Sequence, residues 1–125
     1  MRVLRGKFES GTGNFAQWIL TLNVHYERKT GLKLFPGTLN VRLSEPYTIP
    51  KGCLRLEARE YDGSVDVNIV PCRLLGQRAF ILRTDTHELG TGSHPQTVVE
   101  IASAVKLRDA YGLSDGDDVS IEIED

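Results

Sequence analysis

The sequence has no apolar run near the ~20 residues that a membrane-spanning helix needs, and its start, Met1-Arg2-Val3-Leu4-Arg5-Gly6, turns polar at once. A soluble, cytoplasmic protein with no membrane partner is expected. Excess positive charge is missing as well: 15 Lys and Arg stand against 17 Asp and Glu, for a formal net charge of -2 and a pI near 5.9. Nonspecific nucleic-acid binding draws on a net positive field, so no nucleic-acid partner is expected. Cysteine is scarce, with only Cys53 and Cys72 and no CxxC spacing. In a chain large enough to fold without cross-links, the two read as reduced packing residues rather than a disulfide. No zinc-motif spacing joins them to His25, His87 or His94, and no GxSxG elbow of a Ser/His/Asp hydrolase occurs. Repeats, low-complexity tracts and linkers are absent too. The 125 residues, 40% of them hydrophobic, suffice for one compact domain and little beyond it.

Short alternating segments make up most of the chain. Val3 to Phe8 predicts a first strand, stopped by Ser10-Gly11-Thr12-Gly13. The period then changes. Phe15, Trp18, Ile19, Leu22 and Tyr26 recur at helical spacing, with Asn14 or Thr12 able to cap the start and Gly31 able to close the end. After Pro36-Gly37, Leu39, Val41 and Leu43 alternate with Thr38, Asn40 and Arg42, the pattern of a strand with one apolar face. Further strands are expected over Leu54 to Arg59, Val65 to Leu74, Arg78 to Leu82, Thr97 to Ala102 and Val119 to Ile123, with a short helix over Val105 to Tyr111. Thr84 to Gln96 is polar, has no hydrophobic period and is long enough for a functional loop. Short antiparallel strands at this spacing predict a mainly β fold, a barrel of about six strands with one long and one short helix.

Three features could carry chemistry. Ser10-Gly11-Thr12-Gly13 lies between a strand and a helix, where free backbone N–H groups and a helix N-terminus can hold a phosphate. A plain turn would use the same residues, and neither GxxxxGK[ST] nor a complete GxGxxG is present, Ala16 standing at the third glycine position. Thr38 and Asn40, two apart on a strand, offer two neutral oxygens on one face. They either form a solvated polar surface or hold Mg2+ whose shell is completed by water and substrate phosphates. Lys106-Leu107-Arg108-Asp109 places two cations near a helix start, suited to a phosphate or a base edge, or simply to an exposed helix face.

Read in order, Gly6-x3-Ser10-Gly11-x-Gly13, Pro36-Gly37-Thr38-Leu39-Asn40-Val41, Glu100-Ile101-Ala102, Lys106-Leu107-Arg108-Asp109 and Gly112-Leu113-x-Asp115-Gly116-Asp117 resemble the archaeal-type CTP-dependent riboflavin kinases over nearly the whole chain. The resemblance implies a six-stranded cradle-loop (riboflavin-kinase-like) barrel domain over residues 1–125. It also implies transfer of the γ-phosphoryl of CTP to the 5'-hydroxyl of riboflavin, giving FMN and CDP with Mg2+. Riboflavin and CTP would be the small-molecule partners of a monomer or small homo-oligomer. By the same resemblance Thr38 and Asn40 coordinate Mg2+. Gly11, Thr12, Gly13, Asn14, Lys106, Leu107, Arg108 and Asp109 hold the nucleotide, and Thr86 and Glu100 contact the flavin. Glu100 is the carboxylate in these segments suited to orient or deprotonate the flavin hydroxyl. Phosphoryl transfer asks mainly for positioning and charge neutralisation, so it does not require a lysine-based phosphate loop.

The sequence departs from the family pattern in three places. Phe15 and Ala16 replace a further glycine and an arginine in the loop, Ser103 stands where the family has proline, and Glu88 to Ser93 forms an insertion. The insertion leaves Thr84 and Thr91 as competitors to Thr86. Two other readings follow. One is a barrel of this kind that binds a flavin or nucleotide without catalysis or acts on another small alcohol. The other is a DNA-binding regulator, because Leu107 to Ile121 also resembles swapped-hairpin barrels, although the acidic balance opposes it. Some archaeal members of the kinase family carry a winged-helix domain in front, for which 125 residues leave no room.

Overall fold

The computed structural model describes residues 2–9, 19–36, 38–49, 52–63, 66–84 and 97–123. Seven strands run through them: β1 (Arg2–Glu9), β2 (Leu39–Leu43), β3 (Leu54–Leu56), β4 (Val67–Leu74), β5 (Gln77–Thr84), β6 (Val98–Ser103) and β7 (Asp118–Ile123). All pairings are antiparallel, in the order β3-β4-β5-β6-β2-β1-β7. A further β4–β7 pairing, Cys72 to Leu74 against Ile123 to Ile121, closes six strands into the expected barrel and leaves β3 as an annex beside β4.

Pro71 stands in the middle of β4, a place that usually rejects proline. It sits between the residues that pair β3, ending at Ile69, and those that pair β7, beginning at Cys72. The strand changes neighbours there.

Period-two alternation sorts the apolar residues between two layers. The barrel interior gathers Val41, Leu43, Val70, Leu74, Ile81, Ile101 and Ile121 with others in one buried cluster. The outward residues of β4, β5 and β6, among them Val67, Ile69, Phe80, Leu82 and Ala102, form a second cluster with Ile19, Tyr26 and Leu34. Tyr26 comes from helix α1 (Asn23–Thr30), which ends as expected at Gly31 (φ 77°), whose N–H bonds the carbonyl of Glu27. The continuous helix expected from Asn14 is interrupted. Residues 19–21 are helical, Leu22 departs from helical geometry (φ -107°, ψ 23°), and the regular turns resume at Asn23. The start at Asn14 or Thr12 lies outside the described residues.

Leu54 to Arg59 does not remain extended. After Leu56 the chain enters a short 3-10 turn, Ala58–Glu60, fixed by a reciprocal cap in which Glu57 N donates to Glu60 Oε2 at 2.8 Å. Asp66 Oδ1 also takes the Ala58 N–H at 2.6 Å. The short helix α2 (Leu107–Ala110) lies within the expected span, and its buried Leu107 joins the interior cluster at one end of the barrel. Gly6 lets β1 lie close on β2, because a Cβ there would come within 2.5 Å of Arg42 O and 2.8 Å of Val41 Cγ1. No described helix is long and apolar enough to cross a membrane.

Candidate functional site

The pairing of β1, β2 and β6 assembles a polar row that no single segment contains. Asn40 stands opposite Glu9 on one side and Glu100 on the other, so three outward side chains form the order carboxylate, amide, carboxylate. Thr38 Oγ1 donates to Glu100 Oε1 at 3.0 Å. Arg42, the next outward residue of β2, clasps Glu9 with Nε to Oε2 at 2.6 Å and NH2 to Oε1 at 2.9 Å. That hydrogen bonding holds Glu9 below the ordinary carboxylate range.

The reading of Thr38 and Asn40 as a solvated surface does not survive. Asn40 is only 6% exposed, as is Glu100, while Thr38 is half-buried and the side chains of Arg42 and Glu9 reach solvent. Asn40 Oδ1 is buried and has no hydrogen-bond partner among the described residues. Buried amide oxygens are nearly always paired, so an open one beside a carboxylate suits an oxygen-seeking ligand. A hard divalent cation takes oxygen ligands of this kind, and the oxygens of Thr38 and Asn40, two apart on one strand face beside the Glu100 carboxylate, are of the type that Mg2+ accepts.

A cavity of about 130 Å3 opens beside this row, lined by Glu9, Thr38, Ser103, Lys106, Leu107 and Arg108 among others. Thr38 therefore joins the carboxylate row to the cationic segment. Lys106 and Arg108 are exposed at the cavity, Arg108 with its guanidinium carbon 5.8 Å from the centre of the Phe8 ring. Lys106 Nζ pairs with Asp109 Oδ2 at 3.4 Å, which partly neutralises one of the two cations. Leu107 lines the cavity from below as part of the barrel interior. Ser103 donates through Oγ to Arg78 O at 2.7 Å and ties β6 to β5 at the cavity wall.

Thr38, Asn40, Glu100, Lys106, Leu107 and Arg108 thus converge, with Asp109 at the margin. Gly11, Thr12, Gly13, Asn14 and Thr86 lie outside the described residues, as do Phe15, Ala16, Thr91, His87 and His94. Thr84 is half-buried at the end of β5, two residues beyond Leu82, which pairs with Glu100. Sequence reasoning missed Glu9 and the juxtaposition of Asn40 with Glu100. Sixty residues separate the latter two, and only the β2–β6 register brings them together.

The cysteines and His25 stay out of this chemistry. Cys53 and Cys72 form no disulfide, Cys53 Sγ donating instead to Asn68 Oδ1 at 3.8 Å, and among the described residues no group of three or more His, Cys, Asp or Glu could hold a metal. Burial in the barrel interior pushes the Cys72 thiol up to about 12. His25 is half-buried and sits 3.1 Å from Arg28 NH2 through Nδ1.

The family model for the CTP-dependent riboflavin kinases, described as a domain of unknown function, DUF120, matches residues 9–123. The riboflavin kinase of Methanocella arvoryzae is 34% identical over 131 residues, covering 98% of this chain and 57% of the relative. Those of Thermococcus kodakarensis and Pyrobaculum aerophilum are 31% and 32% identical, over 97% and 96% of this chain and 58% and 60% of the relatives. The chain spans less than two thirds of the length of these curated relatives. With its barrel, its ordered motifs and a match over nearly all its residues, the chain belongs to the CTP-dependent riboflavin kinase family.

Proposed function

We propose that this chain, as a single cytoplasmic domain, transfers the γ-phosphoryl group of CTP to the 5'-hydroxyl of riboflavin, yielding FMN and CDP. The observation that carries the reading is the convergence of Thr38, Asn40 and Glu100 across β2 and β6 beside a cavity rimmed by Lys106 and Arg108. The riboflavin oxygen forms a bond to the γ-phosphorus, the bond from that phosphorus to the β,γ-bridging oxygen breaks, and the hydroxyl proton passes to the Glu100 carboxylate. Thr38 Oγ1 holds that carboxylate in place and, with Asn40 Oδ1, supplies oxygens for Mg2+. Bound there, Mg2+ neutralises charge on the phosphoryl oxygens. Lys106 and Arg108 attract the triphosphate, and the backbone of Gly11 to Asn14 supplies N–H donors to it.

The test is incubation of the purified chain with riboflavin, Mg2+ and each nucleoside triphosphate in turn, with FMN separated by chromatography. FMN is expected with CTP in preference to the others. No FMN with any triphosphate sinks the kinase reading. FMN formed equally well with all four would keep the transfer and remove the assignment of CTP.

A further inference from the structure

Glu9 is the one carboxylate that lines the cavity among the described residues, and the proposed transfer gives it no part. A negative charge there is out of place if the cavity takes phosphate alone, since it opposes the attraction that Lys106 and Arg108 exert. Cross-strand pairing does not account for it either. Lys7 Nζ and Asp118 Oδ1 form such a pair between β1 and β7, at 2.9 Å, with neither residue on the described cavity wall. Exposed ion pairs add little to stability, and Glu9 differs from that pair in facing the cavity.

The chemistry of the group says what it would meet. Arg42 reaches it from outside the described cavity wall and binds both oxygens, Nε to Oε2 at 2.6 Å and NH2 to Oε1 at 2.9 Å. Each carboxylate oxygen carries a second lone pair, so this grip fixes the group, keeps it ionised and leaves it able to accept again on its cavity side. An ionised carboxylate accepts and cannot donate. Phosphate oxygens at neutral pH are acceptors as well, so Glu9 must meet another part of a nucleotide. The donors nearest the phosphates are the ribose hydroxyls, and the base lies further out. Glu9 stands directly across from Asn40, which puts their Cβ atoms about 5 Å apart and Glu9 one strand from the oxygens assigned to the phosphate-bound cation. Reach therefore favours the ribose, whose hydroxyls a carboxylate can accept from.

We propose that Glu9 is a specificity-determining residue whose carboxylate, held from behind by Arg42, accepts hydrogen bonds from the ribose hydroxyls of the phosphoryl donor. The inference deepens the kinase reading and rests on it for the presence of a nucleotide in the cavity. Lys106 and Arg108 attract the phosphates, and Glu9 recognises the sugar.

The test is calorimetric binding, with Mg2+ present, of CTP, of 2',3'-dideoxy-CTP, which lacks both hydroxyls, and of UTP, to the unsubstituted chain and to Glu9→Ala. The unsubstituted chain should bind CTP about 10-fold more tightly than dideoxy-CTP, equivalent to ~1.4 kcal/mol, and Glu9→Ala should abolish that preference. Glu9→Gln, which keeps the shape and one acceptor oxygen, should reduce it in part and carries the test if Glu9→Ala fails to fold. A preference that survives the substitution overturns the inference, as does its absence from the unsubstituted chain. An equal change in the affinity for CTP and dideoxy-CTP also overturns it, assigning Glu9 to the general field of the cavity. Loss of discrimination between CTP and UTP, with the ribose preference intact, would assign it to the base instead. The kinase reading fails separately, if CTP binds with the expected preference and no FMN forms. If the chain binds no nucleotide, both fail.

Discussion

Over β4 and β5 the outer face of the barrel carries Val67, Ile69, Phe80 and Leu82 beneath α1, whereas over β2 and β6 an equally buried stretch of that surface carries Asn40 and Glu100. The two regions share a sheet, a pleat and a degree of burial, yet their chemistry is opposite. On the first, burial removes apolar area from water and stabilises the fold. On the second, burial strips a carboxylate and an amide of solvent, which costs stability unless a ligand or partner compensates. Equal burial with opposite effect on folding separates the part that holds the barrel together from the part that acts.

The largest effect that would break this contrast is expected on the apolar side. Phe80→Ala should cost about 3–5 kcal/mol in denaturant unfolding, as buried aromatic truncations do. A loss below about 1 kcal/mol would show that this face is not a packed layer. On the polar side the effect should move from folding to turnover. Glu100→Gln should lower the rate of FMN formation about 100-fold or more, the ordinary weight of a general base. The melting temperature should hold or rise, since a buried charge is removed while the shape is kept. Full turnover would remove Glu100 as the proton acceptor.

A smaller effect belongs to Asn40→Ala. The Mg2+ concentration for half-maximal rate should rise on the order of 10-fold, while stability changes by less than about 1 kcal/mol because Oδ1 has no hydrogen bond to lose within the described residues. An unchanged Mg2+ requirement would count against the ligand role.

The smallest effect at neutral pH comes from Cys72 inside the barrel. Its thiol is pushed from about 9 up to about 12 by burial, so the folded state favours the protonated form. Its contribution is intact below pH about 9 and is lost as pH rises toward 12. Cys72→Ala should flatten that alkaline decline, visible in melting curves taken across the window. An unaltered slope would assign the decline to other groups, Tyr47 first, whose phenol burial also raises to about 12.

Much of this was legible along the chain. The alternation of Leu39, Val41 and Leu43 marked β2 and its inward face, and Gly31 marked the end of α1, because both signals are local. Leu54 to Arg59 misled, since the Glu57–Glu60 cap turns the chain where composition alone still allowed a strand. Arg83 carried no local signal of its place. At the end of β5 it is fully buried, donating to the carbonyls of Tyr47 and Val98, a burial uncommon for arginine that the paired carbonyls make tolerable.

The sequence by itself determined the mainly β character, the strand periods and the ordered motifs that carry the family resemblance, because side-chain alternation and turn chemistry act over a few residues. Only the tertiary structure decided that Asn40 and Glu100 are buried neighbours and that Glu9 completes their row. Those relations depend on strand register and on what covers each face. Residues tens of positions apart set both, and no local pattern encodes them.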